Sequence, residues 1–590
     1  MLKILEKKNS VFFVMALLLV TKVLGFLKLR IIAQLFGVSH ELDIFWAAFT
    51  IPDMLFMIIV AGSINAAIIP IFSEIFYKKG TEVLNKFFNH LTIIIISTCS
   101  IIALLLFIFT PQLTDFLINS HLLQGFLNFS DRISPEDYDI FINLTRIMMI
   151  SPLLLGTSTL LTGYLQVRKQ FFVTSLAPLM YNLAMVIGPM ILVLWLGMGV
   201  EGIAISAVIG SLLHFLTQIP LFKKFYTYNF SLSLKTFSDS LKNRYVWKAL
   251  KLAIPRTIAI LGEQLNVVVN TLISFSLAAG ALSAYKFALS LHLFPINIIG
   301  SAVAQVALPN MAQHSENKKE FERVLNNSIQ LALFLVLPIV AIFIILRLPI
   351  IRLAYGTGAF DWRGTILTAW CLALLGVSIV GQTVAQILLR AFYALKETWL
   401  PLFAISIGIV VNIALAYLLT NFFSHYYDWR PILDQMVTQI SNANGGEFLK
   451  VLGSFFRDIF VWSTSRGNSD MSVGGLSLSL SIAYFVQSVI LGILLNKKGK
   501  ILSWKKTVLP AITKIMNTIL MCIGMYFVFK LFDFQLDTTR TWSIVVLTSI
   551  TAVYGLISYW VGSKVFNIEE LGIFERKLLK LKDQVFKKNA

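Results

Sequence analysis

The chain has 590 residues, of which 57% are hydrophobic and only 13% are charged. Soluble globular domains carry about 25% charged residues, so this composition excludes an ordinary soluble protein and predicts a polytopic membrane protein. The net charge of +19 would suit nucleic-acid binding, but the basic residues stand in short connections between apolar runs. Membrane topology explains them better, and no nucleic-acid partner is expected.

Apolar runs of about 20 residues, long enough to cross a bilayer, predict about fourteen transmembrane helices. In chain order we expect them at roughly 11–37, 43–76, 87–110, 138–165, 171–197, 202–222, 247–275, 282–313, 324–345, 365–389, 398–421, 475–496, 507–531 and 542–563. Lys and Arg are concentrated in alternate connections, which by the positive-inside rule predicts an even number of spans with both termini cytoplasmic. The expected fold class is an all-α polytopic membrane protein.

The first two predicted helices carry charged residues inside apolar sequence. Lys22, Lys28 and Arg30 lie on the first, and Asp43 and Asp53 lie on the second. A charge at bilayer depth costs about 2.5–3.5 kcal/mol on insertion scales, so such residues usually face a wet cavity or a partner. This pattern indicates a polar cavity for an anionic group. The alternatives are snorkelling of Lys22 and Arg30 to the two interfaces, or plain ion pairing.

The seventh and eighth predicted helices carry a second set of polar residues. Arg256 and Glu263 are seven residues apart, which puts them on one helix face. Gln264 and Asn266 add polarity beside them, and Lys286 stands at the start of the eighth helix. Cations outnumber carboxylates in these spans, and a cationic cleft suits a phosphate or diphosphate through charge-assisted hydrogen bonds.

A weak internal repeat relates the two halves of the chain. Thr21-Lys22 of the first helix matches Pro255-Arg256 of the seventh, and small residues precede a proline, Pro70 or Pro309, in the second and eighth. Both halves begin on the same side, so the repeat is parallel, as in transporters with a site between halves. The alternative is a chance similarity between helices rich in small residues.

These features predict a division into lobes. We expect an N-lobe of helices 1–6 (1–222), a basic cytoplasmic linker (223–246), a C-lobe of helices 7–12 (247–496) with an extracytoplasmic insertion (422–474), two last helices (497–565) and a basic amphipathic cytoplasmic tail (566–590). The insertion contains a predicted amphipathic surface helix, and the tail is expected to dock to anionic lipid.

No enzyme motif is present: the sequence lacks a Walker loop, a GxSxG elbow and the kinase signatures. Cys99, Cys371 and Cys522 are far apart in apolar segments, so no disulfide, metal or cofactor is expected. We therefore expect a transporter and not an enzyme. Its energy source would be an ion gradient, the membrane potential or a downhill substrate.

Seven distinctive sequence motifs occur along the chain. They are VLGFLKLRIIAQLFG (23–37), DIFWAAFTIPDMLF (43–56), AIPRTIAILGEQLN (253–266), LPNMAQ (308–313), YGTGAFDWRGTILTAW (355–370), RAFYALKETWLP (390–401) and GGLSLSLSIAYFV (474–486). With them the chain resembles the MurJ (MviN) lipid II flippases of the multidrug/oligosaccharidyl-lipid/polysaccharide exporter superfamily. The resemblance covers essentially the whole chain except 422–474.

The resemblance implies two six-helix lobes in parallel pseudo-repeat plus two C-terminal helices that form a lipid groove. It implies alternating access that moves the lipid-linked peptidoglycan precursor lipid II to the outer leaflet of the bacterial cytoplasmic membrane, in cell wall biogenesis. The cations expected to hold the diphosphate are Lys22, Lys28, Arg30 and Arg256. Asp43 and Glu263 are expected to pair with them in the empty cleft, and Gln264, Asn266 and Lys286 to contact the head group.

The chain departs from the family pattern at several charged positions. The family's first-helix arginines are lysines here, its arginines after the second-helix proline motif are Phe56 and Met57, and its eighth-helix Asp-Arg pair is Leu289 and Ser290. These departures keep open a flippase for another polyprenyl-linked glycan or an ion-coupled drug exporter. A non-transporting scaffold for envelope-assembly proteins is the third alternative.

Overall fold

The computed structural model describes residues 10–58, 68–119, 134–226, 238–240, 242–426, 453, 457, 459–499, 502–572 and 575. Within these ranges the side chains of 10–12, 117–119, 249–250, 252–256, 259 and 504 fall outside the description. Regular structure in the described ranges is helical, with no β-strand. The predicted all-α class is therefore confirmed.

The chain divides into two compact units. The first comprises Met1–Ser283 and Thr357–Phe360, and the second comprises Ala284–Gly356 and Asp361–Ala590. The finer plan of lobes, linker, insertion and tail stays a prediction. Residues 427–452 of the insertion and 576–590 of the tail lie outside the described residues.

The helices up to the end of the predicted seventh span all belong to the first unit. They are α1 (Ser10–Phe36), α2 (His40–Phe56), α3 (Ile69–Asn119), α4 (Pro135–Met148), α5 (Ser151–Val167), α6 (Phe171–Pro189), α7 (Gly199–Leu216), α8 (Ile219–Phe225) and α9 (Arg244–Phe275). A π-helical turn, Met190–Trp195, follows α6.

The later helices complete the chain. They are α10 (Ala281–Pro295), α11 (Ser301–Gln313), α12 (Lys318–Ile345), α13 (Arg347–Tyr355), α14 (Trp362–Ala394), α15 (Trp399–Ser424), α16 (Val473–Gly499), α17 (Leu509–Gln535) and α18 (Thr541–Val565). π-helical turns lie at Ile296–Gly300 and Trp504–Val508, and a 3₁₀ turn lies at Asp470–Ser472.

Eleven segments of the described chain are long and apolar enough to cross a membrane. They correspond to the third to sixth and the eighth to fourteenth predicted spans. The first, second and seventh predicted spans are not among them. The described residues of α9 include a shorter apolar stretch, Ile260–Phe275, because the side chains of 252–256 and 259 fall outside the description. These three spans are the ones predicted to carry most of the cleft charges. The predicted total of about fourteen transmembrane helices is consistent with the observed helices and stays a prediction.

The range given as α3 contains two helices that meet at a kink, and this kink lies inside the connection at 77–86 between the second and third predicted spans. The one non-helical residue of this range is Gly80, with φ +85°. On either side, Lys78 lies 3.9 Å from Glu74 and Lys86 lies 3.2 Å from Glu82, both at i,i+4 spacing. Such pairs stabilise an exposed helix by about 0.2–0.5 kcal/mol each, so a charged run is compatible with helix.

An aromatic core holds α3, α5 and α8 together in the first unit. Phe72 and Phe88 of α3 and Tyr164 of α5 are fully buried. The Phe88 ring centroid lies 5.0 Å from that of Tyr164 and 5.1 Å from that of Phe222. Contacts of this geometry stabilise packing beyond the buried area. They fix α5, which forms one wall of the cavity described below.

Close helix contacts also bring α6 and α7 together, and α1 packs against α6. Gly210 of α7 lies against Tyr181 of α6, where an added Cβ would stand 3.0 Å from the aromatic ring. Small residues permit such close approach in membrane proteins. The consequence is that polar side chains of α1, α6 and α7 lie within reach of one another.

The second unit contains a buried ion pair. Lys514 of α17 is 2% exposed, its Nζ lies 3.0 Å from Glu570 Oε2, and it donates to Gln330 Oε1 at 2.7 Å. A buried ammonium requires such partners, because the desolvation cost of an isolated charge is several kcal/mol.

Candidate functional site

A partly open cavity of about 370 Å³ lies within the first unit, among α1, α2, α5, α6 and α7. Small-molecule sites usually measure about 300–1,000 Å³ and combine apolar walls with a few polar groups. The polar lining consists of Lys28, Asp53, Ser151, Tyr181, Asn182 and His214. The apolar lining consists of Phe49, Pro52, Phe56, Pro152, Leu155 and Pro178.

Lys28 is the cation of this cavity. Its Nζ lies 5.4 Å from the centroid of the Tyr181 ring, a distance at which a cation is attracted to the aromatic face. The Asp53 carboxylate interacts electrostatically with Lys28 and with Tyr181. The Asp53 carboxylate and an incoming anion would both bind the Lys28 ammonium. An anion can therefore displace the carboxylate while the ammonium stays beside the Tyr181 ring.

Three of the lining residues are prolines on three different helices. Pro52 and Pro178 lie inside α2 and α6, and Pro152 lies in the first turn of α5. A proline inside a helix leaves the carbonyl four residues earlier without its backbone donor. Pro52 and Pro178 therefore interrupt the backbone hydrogen bonding of α2 and α6 next to the cavity.

His214 connects the cavity to a buried polar network between α5 and α7. Its Nδ1 lies 2.7 Å from Ser158 Oγ. Gln218 Nε2 donates to the same Oγ at 2.7 Å and to the Ser158 carbonyl at 3.2 Å, while Thr162 Oγ1 donates to Gln218 Oε1 at 3.0 Å. Ser158 and Gln218 are fully buried. Buried polar groups satisfied in this way hold each other in one arrangement.

The predicted cations of α1 point in different directions. Lys22 is exposed, whereas Lys28 and Arg30 are half-buried. At 100° per residue, Lys28 and Arg30 stand about 200° apart around the helix, so they leave different sides of α1. Of the predicted diphosphate ligands, Lys28 is the one found in the cavity lining. The side chain of Arg256 lies outside the described residues, so its convergence with Lys22 stays a prediction.

Asp43 is buried, with 1% of its surface exposed, and its carboxylate is surrounded by donors. The backbone N–H groups of Gly280 and Ser283 donate to it at 2.7 Å each, and the Ser283 hydroxyl donates at 2.6 Å. These donors belong to the connection after α9 and the first turn of α10, whose N–H groups need an acceptor. The predicted pairing of Asp43 with cleft cations stays a prediction.

The remaining predicted residues are dispersed. Glu263 is exposed, Gln264 is buried, and Asn266 is half-buried, all three on α9. Lys286 is half-buried and belongs to the second unit. Within the described part of the chain, the cavity lining includes none of these four. Their contact with a head group stays a prediction.

The eighth-helix position of the family's charged pair is polar but uncharged here. Ser290 Oγ donates to the Phe287 carbonyl at 2.8 Å and contacts the Tyr355 hydroxyl at 2.7 Å. The ring of Tyr355 packs against that of Phe287 in a tilted arrangement, with centroids 4.9 Å apart. Helix α10 therefore has a buried packing contact at this point.

Sequence reasoning did not select Tyr181, Asn182 or His214 as site residues. Asn182 donates to the Thr21 carbonyl of α1 at 3.2 Å, which fixes it beside the helix that carries Lys28. Each is a single polar residue inside an apolar run, and such residues are common in cores. The available signal was their proximity to prolines on the predicted fifth and sixth spans. Among the described residues, no three His, Cys, Asp or Glu side chains cluster as a metal site.

The sequence is similar to proteins of one known family. The family model described as lipid II flippase MurJ matches residues 32–427. The "Probable lipid II flippase MurJ" of Rhizobium tropici is 25% identical over 475 residues, which cover 79% of this chain and 84% of that protein. The "Lipid II flippase MurJ" of Burkholderia cenocepacia is 25% identical over 395 residues, covering 67% of this chain and 74% of that protein.

Solved structures give the same fold. "Lipid II flippase MurJ, inward closed conformation" aligns with a TM-score of 0.67 and 21% identity, covering 96% of this chain and 100% of that one. An inward-facing multidrug resistance transporter of the MATE family aligns with a TM-score of 0.58 and 14% identity, covering 81% of this chain and 94% of that one. These likenesses concern the fold, which is the all-α polytopic class expected from the sequence.

Proposed function

The chain belongs to the lipid II flippase MurJ family, and from this premise we propose that it moves lipid II from the cytoplasmic to the outer leaflet of the bacterial inner membrane. The observation that carries the proposal is the family match, which spans 32–427 and includes α2, the helix that carries Asp53. The function is transport in cell wall biogenesis, and the family is not a class of enzymes.

The cavity in the first unit supports an anionic substrate. We propose that the Lys28 ammonium binds the diphosphate of lipid II. When substrate is absent, the Asp53 carboxylate pairs with this ammonium instead. The volume of about 370 Å³ accommodates a diphosphate and adjoining groups but not a whole lipid-linked disaccharide peptide. Lys22, Arg30 and Arg256 are proposed as further contacts of the transport cycle, and the lipid tail is proposed to lie along the last two helices.

The energy source and the arrangement in the membrane are also proposals. We propose an ion gradient or the membrane potential as the driving force, without a bound cofactor. Both termini are proposed to lie in the cytoplasm, because the basic connections alternate along the chain. Proteins of envelope assembly are proposed as partners in addition to lipid II and membrane lipids.

The test is lipid II flipping in reconstituted vesicles. Labelled lipid II is incorporated with the purified full-length chain, and the rate at which label becomes accessible to an external probe is measured. Lys28→Ala should lower this rate about tenfold or more, because a hydrogen bond to a charged group stabilises by about 1.5–3 kcal/mol. Lys28→Arg retains the charge and should keep most of the rate.

The matched control is Lys86→Ala. Lys86 pairs with Glu82 on the exposed surface of α3, and such pairs contribute about 0–1 kcal/mol. The Lys86→Ala variant should flip lipid II at the rate of the unmodified chain, and it should complement a flippase-depleted strain equally well. Absence of lipid II movement by the unmodified chain, with dye efflux that collapses with a proton or sodium gradient, would refute lipid II flipping in favour of drug export. Unchanged flipping by Lys28→Ala would refute the assigned site.

A further inference from the structure

The two ring nitrogens of His214 lie in different surroundings. Nδ1 is directed at the buried hydroxyl of Ser158, 2.7 Å away. The ring is half-buried and lines the cavity that Lys28 and Asp53 also line. Nε2 has no hydrogen-bond partner within the described part of the chain, and it is not one of the enclosed polar atoms there. The free nitrogen is therefore on the accessible side of the ring.

The hydrogen bonds around Ser158 indicate which ring nitrogen carries the proton. Gln218 Nε2 contacts two backbone carbonyls, of Ser158 and of His214, at 3.2 and 3.4 Å, which identifies that atom as the amide nitrogen. The same nitrogen donates to Ser158 Oγ at 2.7 Å. Ser158 Oγ accepts this bond, and its single proton remains for another acceptor.

Two acceptors are within reach of that proton. His214 Nδ1 lies at 2.7 Å, and the His214 carbonyl lies at 3.2 Å. Nδ1 is the nearer of the two acceptors, so the Ser158 hydroxyl donates to Nδ1. Donation by Ser158 makes Nδ1 the acceptor, so in the neutral ring Nε2 carries the hydrogen. A protonated ring would carry a hydrogen on Nε2 as well.

We propose that His214 is a substrate-binding residue, whose Nε2–H donates to the anionic group that Lys28 binds. Ser158 and Gln218 are positioning residues, because they act by holding the ring in this tautomer and orientation. The inference rests on the proposed function, since it takes the cavity as the site of the diphosphate. It adds a neutral donor from α7 to the cation from α1, which gives the anion two contacts from separate helices.

A purely structural histidine would need only the bond between Nδ1 and Ser158. Hydrogen bonds of that kind join helices in membranes. The two roles use different nitrogens, so conservative variants separate them. The amide nitrogen of glutamine occupies the position of Nε2, and the amide of asparagine occupies the position of Nδ1.

The experiment compares His214→Gln with His214→Asn. Binding of labelled lipid II to the purified full-length chain is measured in phosphatidylglycerol nanodiscs, together with the midpoint of thermal unfolding. His214→Gln keeps the donor toward the cavity and should bind within about threefold of the unmodified chain. His214→Asn keeps the contact with Ser158 but loses the cavity donor, so binding should weaken about tenfold.

The unfolding midpoints should show the opposite order, because His214→Gln loses the contact with Ser158 and His214→Asn retains it. Wild-type affinity of His214→Asn with weakened His214→Gln would overturn the proposal and leave a structural histidine. Equal affinity of both variants would also overturn it. Lack of lipid II binding by the unmodified chain is a separate result, which would contradict the proposed function itself.

Discussion

Asp43 and Asp53 lie ten residues apart on α2, and their carboxylates have different surroundings. Asp43 is enclosed and accepts three hydrogen bonds from Gly280 and Ser283. Asp53 lines the cavity and interacts with Lys28. The Asp43 carboxylate stabilises the fold, because its hydrogen-bonding capacity is used by buried donors. The Asp53 carboxylate interacts with the Lys28 ammonium and can be displaced from it by a ligand. Substitution of Asp43 should therefore affect stability, whereas substitution of Asp53 should affect substrate binding.

Asp43→Asn should destabilise the first unit by about 1–3 kcal/mol. The amide nitrogen cannot accept, so it leaves at least one buried N–H donor of the connection without a partner. The measurement is thermal unfolding of the purified chain in detergent. Asp139→Asn is the matched control, because Asp139 is exposed at the start of α4 and should leave the midpoint unchanged. An equal midpoint for both variants would contradict the structural role of Asp43.

The sequence identified some site residues and not others, for physical reasons. Lys28 could be predicted, because a charge inside an apolar helix is costly wherever it points. His214 could not, because a neutral polar residue carries little cost and its role depends on Ser158 and Gln218 of other turns. The donors of Asp43 lie 237 and 240 positions away, a distance over which periodicity gives no information.

At the scale of elements, the connection between α9 and α10 requires glycine. Gly280 has φ +86°, and a Cβ there would stand 2.6 Å from the Val38 carbonyl oxygen. Gly280→Ala should therefore unfold at a clearly lower temperature than the unmodified chain. Forcing an extra carbon into a packed position costs about 1–3 kcal/mol, in addition to the strain of a left-handed residue.

Gly197→Ala separates these two costs. Gly197 also has a positive φ, +66°, but no atom lies within 4 Å of the position of its Cβ. It should show the cost of backbone strain, about 1–2 kcal/mol, without collision. If Gly280→Ala destabilises no more than Gly197→Ala, the connection can move away from Val38 and the packing argument is wrong.

The helices themselves were largely predictable, since continuous apolar runs of sufficient length have few alternatives in a bilayer. Helix ends were less so. The charged segment after the second predicted span is helical on both sides of the kink at Gly80, because ion pairs such as Lys86 with Glu82 suit an exposed helix as well as a loop. Among the described residues, the spans with internal charges, α1, α2 and α9, are not part of the eleven long apolar segments.

At the scale of the whole molecule, the alternation of basic connections predicts an orientation that labelling can measure. In a chain with Cys99, Cys371 and Cys522 replaced by alanine, Lys224→Cys should resist a membrane-impermeant maleimide in intact cells, and Arg540→Cys should react. Both positions are exposed, so accessibility depends on the side of the membrane. Detergent permeabilisation should make Lys224→Cys reactive. Labelling of Lys224→Cys in intact cells would reverse the proposed topology.

The first unit is discontinuous, since Thr357–Phe360 belongs to it together with Met1–Ser283. The N–H of Ala359 donates to the Gln34 carbonyl at 2.9 Å, which satisfies an acceptor in the last turn of α1. Ribosomes add about 5–20 residues per second, so this partner emerges several seconds after Ser283. During synthesis the first unit therefore stays incomplete until Thr357–Phe360, which is translated after Ser283, has been added. A chain stalled before that segment would present quality-control proteases with an unfinished terminus of α1.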